Sequence, residues 1–87
     1  MALPRRYLLA NDADTLATLD DIANRGLASE FWALYGELQF SPRDRGLGIR
    51  GFRDAPDSYT AWNNPLLLYR VHEDPPLIAL IGLADIL

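Results

Sequence analysis

Eighty-seven residues carry 12 acidic and 8 basic side chains, every basic one an arginine, for a formal net charge of −4 and an isoelectric point near 4.6. That balance argues against broad electrostatic binding to a polyanion, although a local basic patch remains compatible with it. The absence of cysteine excludes disulfides and thiolate chemistry, and a single histidine leaves a structural zinc site short of ligands.

A hydrophobic content of 49% with 23% charged residues describes one folded domain spanning residues 1–87. The apolar run near the start, Tyr7 to Ala10, is too short for a signal-peptide core. The closing run from Leu77 to Leu87 is about half a bilayer span and contains Asp85. The expectation is a cytoplasmic protein with no membrane segment.

The first element in chain order is RRYLLA, residues 5–10, which reads as a short strand. Asn11 or Asp12 then supplies a helix N-cap, with Asp12 and Asp14 near the positive end of the dipole. Leu16, Leu19, Ile22 and Ala23 follow a helical period and predict a first helix near 12–24, stopped by Gly26. Leu27, Phe31, Leu34 and Leu38 form an apolar stripe that predicts a second helix near 27–39, ended at Ser41-Pro42. The short connection makes the two an antiparallel hairpin.

The loop SPRDRGLG, residues 41–48, leads to a short strand at 49–53 and the turn-rich DAPDS. Three further strands follow: SYTAW, then Leu66 to Val71 after the Asn63-Asn64-Pro65 bend, then Leu77 to Leu83 after the connection HEDPP. The order predicts an α+β domain, an N-terminal helical hairpin packed on a small antiparallel β-sheet. The last two strands are apolar at consecutive positions, which asks for cover on both faces. The helical hairpin covers one. A partner chain, a second copy forming a homodimer, or curling of the sheet itself would cover the other.

Three segments carry a family resemblance. LQFSPRDRG is a Leu-rich helix exit into a basic, glycine-containing loop, GIRGF is a basic strand start, and LLLYRVHEDPPLIALIGLADI is a hairpin around an acidic turn. Together, over roughly residues 5–84, they resemble the RelE/ParE superfamily, the toxins of type II toxin–antitoxin modules. The resemblance implies a RelE/ParE-like fold, a cognate antitoxin as partner, and either mRNA cleavage on the ribosome (an mRNA interferase) or inhibition of DNA gyrase. The chain departs from the family in being acidic. Leu66, Leu67 and Leu68 also stand where a penultimate-strand arginine is common, and GLADIL lacks the basic and aromatic residues that often follow the last strand. These departures keep open a non-enzymatic interaction module on the same scaffold.

Phosphate binding and transition-state charge stabilisation need cations. Arg50 and Arg53, three apart on the expected strand, are catalytic candidates; the alternative is a pair of surface arginines balancing Asp54 and Asp57. His72, on the same strand face as Arg70, can act as general acid or base, or stand solvated beside Glu73 and Asp74. Arg43, Arg45 and Arg70 are candidates for nucleic-acid contact, with Asp44 diluting the first two. Tyr59, Trp62 and Tyr69 suit a core better than base stacking. Trp32 and Tyr35, to one side of the second helix's stripe, form either a partner patch or a wider core face, and Leu80 is the apolar position on which partner association is expected to depend. No nucleophile elbow, phosphate loop or metal spacing occurs, so no cofactor is expected.

Overall fold

A computed structural model describes residues 5–43, 57–62 and 65–85. The elements are β1 (Leu8–Leu9), α1 (Ala13–Asn24), α2 (Ala28–Leu38), β2 (Ser58–Ala61), β3 (Leu66–Glu73) and β4 (Pro76–Ala84). The expected strand at 49–53 lies outside the described residues. Among the described residues no helix is long and apolar enough to cross a membrane.

Asp12 caps α1, its Oδ1 accepting the Thr15 N–H at 2.7 Å. Gly26, at φ +73°, reverses the chain between the helices in the left-handed region that glycine tolerates. The fold is α+β, as expected, with strand order β1-β4-β3-β2. Strands β2, β3 and β4 form the expected antiparallel meander, and the β3–β4 turn is only Asp74-Pro75. The sheet is nevertheless mixed rather than wholly antiparallel, because β1 runs parallel to β4, with Leu8 opposite Leu77 and Leu9 opposite Ile78. Parallel neighbours need a long crossover, and two helices with two further strands supply one here.

Register and pleat assign the faces. Leu67, Tyr69, Val71, Ile78 and Leu80 share the core face and are buried with Ile22, Phe31 and Leu38 from the helices. The second helix meets its expected stripe. The first is rotated from its own: Thr15, Thr18 and Ile22 are buried, whereas Leu16 is 54% exposed. The reason is polar. Strand β1 leaves β4 after Ala10 N–H has bonded the Ile78 carbonyl at 2.9 Å, and the next edge donor of β4, the Leu80 N–H, is taken by Thr15 Oγ1 at 3.0 Å. A threonine thus replaces one rung of the missing strand, and a leucine there would strand a buried donor.

Candidate functional site

The opposite face of the sheet carries Leu68, Arg70 and His72 from β3 and Leu77 and Ala79 from β4, with Leu8 beside Leu77. Toward β2 this face is closed, since Ser58 and Thr60 are buried. Toward β1 it is open: Arg70 and His72 are exposed, Leu8 is 50% exposed and Ile81 42%. A register shift between Leu68 and Tyr69 leaves Ile81 as an extra residue on β4. A concavity of about 330 Å³ forms here, lined by Asp12, Asp14, Arg70, His72, Ala79, Leu80 and Ile81.

The strand pleat places Arg70 and His72 two residues apart on one face, as expected from the sequence. Both reach the concavity, and the start of α1 adds the carboxylates of Asp12 and Asp14 to the same wall. Asp12 is held below the usual carboxylate range, mainly by its hydrogen bonds from Thr15, with a small Coulombic pull from His72. Among the described residues Arg70 makes no hydrogen bond or ion pair, so its guanidinium is available to an incoming anion. Two carboxylates against one guanidinium nonetheless leave the wall mixed in charge.

Arg43 lies apart from this site. Its Nε and Nη2 donate to Glu73 Oε2 at 3.0 and 2.8 Å, and its Nη1 donates to Asp57 Oδ1 at 3.1 Å and to the Tyr59 hydroxyl at 2.7 Å. Its guanidinium carbon is 5.6 Å from the centre of the Tyr59 ring. Tyr59 pairs with Tyr69 on the core side of the sheet, so Arg43 and Arg70 are on opposite faces. Glu73 also accepts from the Tyr7 hydroxyl and from Arg5 Nη1, and these donors hold its carboxyl down to about 2, with Tyr7 contributing most, then Arg43, then Arg5. The same network raises Arg43, chiefly through Glu73. Sequence reasoning missed it because Arg5 and Tyr7 are more than 60 residues from Glu73 in the chain, with no local pattern linking them.

Arg45, Arg50 and Arg53 lie outside the described residues. Trp32 is 53% exposed, edge-on to Phe31 and Tyr35 at 5.1 and 6.0 Å between ring centres. Tyr35 is half-buried and donates its hydroxyl to the Tyr7 carbonyl at 2.8 Å, so it serves the core face while Trp32 remains on the surface. Leu80 is 1% exposed within the chain's own core, and its side chain points toward the helices. The exposed apolar side chain of this stretch is Ile81. Asp85, in the closing GLADIL, is engaged by a bidentate contact from Arg25 at 2.7 and 3.1 Å, which depresses its carboxyl and ties the end of β4 to the end of α1. Among the described residues no group of three or more potential ligands is placed to hold a metal.

No family model matches the sequence, and no curated protein matches it. Among solved structures, a chain of the toxin–antitoxin complex RelBE2 from Mycobacterium tuberculosis superposes with a TM-score of 0.66 over 93% of this chain and 99% of that one, at 18% identity. The chain therefore has a RelE-like α+β fold.

Proposed function

We propose that this protein is the toxin component of a type II toxin–antitoxin module, acting in the cytoplasm and held by a cognate antitoxin that covers the open side of its sheet. The observation that carries this reading is the open face itself. On a RelE-like fold, exposed apolar residues Leu8 and Ile81 flank a concavity holding a histidine and an arginine that is unpaired among the described residues. Apolar surface of that kind suits a partner chain, by strand addition or helix docking.

The finer proposal is cleavage of mRNA on the ribosome from this face. Arg70 would hold the scissile phosphate. His72 would take the proton of the 2′-hydroxyl as its oxygen attacks phosphorus and the P–O5′ bond breaks, and the leaving 5′-oxygen would take a proton from water, giving a 2′,3′-cyclic phosphate and a 5′-hydroxyl. Arg45, Arg50 and Arg53 complete the candidate set on sequence grounds. A second reading, a non-enzymatic binding module on the same scaffold, draws on the two carboxylates in the concavity and on the internal pairing of Arg43.

The deciding experiment is a reconstituted translation reaction with protein purified free of any partner. Cuts at codons in the ribosomal A site, lost in Arg70→Ala and His72→Ala, support the interferase. Intact mRNA with blocked supercoiling by purified gyrase moves the target to gyrase, and inactivity in both assays leaves the binding module.

A further inference from the structure

Glu73 is the last residue of β3, partly exposed, yet its carboxylate receives four donors from three side chains. Oε1 accepts from the Tyr7 hydroxyl at 2.5 Å and Arg5 Nη1 at 3.0 Å, and Oε2 accepts from Arg43 Nε and Nη2 at 3.0 and 2.8 Å. One guanidinium fork from Arg43, a single N–H of the Arg5 guanidinium and a phenol hydroxyl aimed at one carboxylate form a donor set suited to a phosphate group. The donors are also fixed by contacts that do not involve this carboxylate. Arg43 is steadied by Tyr59 and Asp57, and Arg5 Nη1 also donates to the main-chain carbonyl of Glu73 at 3.1 Å. Rotation of the Glu73 side chain alone would empty the site and leave the β3–β4 ladder intact.

We propose that Arg5, Arg43 and Tyr7 form a phosphate-binding site that the chain's own Glu73 carboxylate occupies, and that a phosphate group binds there by displacing it. With Glu73 swung out, two arginines face one carboxylate among the described residues, that of Asp57, and these three groups carry a net charge of +1. At rest the site is masked, in keeping with the acidity of the whole chain. It lies on the side of the sheet opposite Arg70 and His72, so its test is independent of the cleavage assay.

The probes are a short fluorescein-labelled single-stranded RNA, followed by anisotropy, and inorganic phosphate, followed by the NMR signal of the Arg43 Nε–H. A tethered competitor that leaves the site open in about a tenth of molecules lowers the apparent affinity about tenfold. Glu73→Ala should therefore bind RNA about tenfold more tightly than the natural protein, and Glu73→Ala with Arg43→Ala should lose the gain. Inorganic phosphate that displaces the RNA identifies free phosphate as a sufficient ligand; RNA binding that persists against it assigns the site to a nucleic-acid backbone. Equal affinity in the natural protein and Glu73→Ala, or a gain that survives Arg43→Ala, overturns the proposal. Should Glu73→Ala fail to fold, Glu73→Gln is judged by the same criterion. In the natural protein, an Arg43 Nε–H signal that stays unmoved both by saturating phosphate and by saturating RNA also overturns it.

Discussion

Replacing Thr15 by valine removes a hydroxyl that accepts the Leu80 N–H and also hydrogen-bonds the Asp12 carboxylate, whose cap on the Thr15 main-chain N–H is kept. Valine has nearly the shape of threonine and a similar helix propensity, so packing and α1 itself change little. What is lost is the Oγ1 that accepts the Leu80 N–H at 3.0 Å, at a position with no solvent access. Strand β1 has already left β4 at that rung, so no main-chain acceptor takes the place of the hydroxyl. An unsatisfied buried donor costs about 1–3 kcal/mol. At about 4–8 °C per kcal/mol for a domain of this size, the middle of that range lowers Tm by roughly 8–16 °C. Thr15→Ser keeps the acceptor and loses one methyl, costing about 1 kcal/mol. Thermal unfolding by circular dichroism should therefore rank the natural protein above serine and serine above valine, with faster exchange of the Leu80 amide in the valine variant. A valine variant melting within about 2 °C of the natural protein, or one more stable than serine, would refute the edge-capping role.

The depressed carboxyl of Glu73 gives a pH dependence of definite sign. Its folded value, about 2, lies below the ordinary 4.5, so its contribution is complete above the ordinary value and fades as pH falls from there toward 2. Denaturant midpoints of the natural protein should drop more steeply over that window than those of Glu73→Gln; parallel curves would show that the network adds nothing to stability. Leu80→Asp places a carboxylate in the core, forfeits about 2–3 kcal/mol of apolar burial and adds a larger desolvation cost, so no folded protein is expected; a soluble, folded variant would remove Leu80 from the core. Ile81→Asp should melt within about 3 °C of the natural protein yet weaken association with the proposed antitoxin by about tenfold or more; unchanged association removes Ile81 from the proposed interface. If the proposed cleavage is this protein's activity, Arg70→Ala should reduce it on the order of 10²-fold by removing a transition-state charge contact, and an unchanged rate takes Arg70 out of the site.

Local sequence determined the secondary structure. Asp12 as an N-cap, Gly26 as a reversal and the Leu27-Phe31-Leu34-Leu38 spacing each act within a few residues, so both helices and the C-terminal hairpin are legible without the fold. The strand pleat alone likewise put Arg70 and His72 on one face. The tertiary structure decided what depends on distant segments meeting. It set the parallel placement of β1, the turn of α1 that buries Thr15 rather than Leu16, the burial of Leu80 beside the exposure of Ile81, and the neutralisation of Arg43 by Glu73. For β1, Thr15 and Arg43 the deciding partner is a main-chain hydrogen-bonding group or a carboxylate some 30 to 70 residues away, and for Ile81 it is a register shift against β3; periodicity holds no information about either.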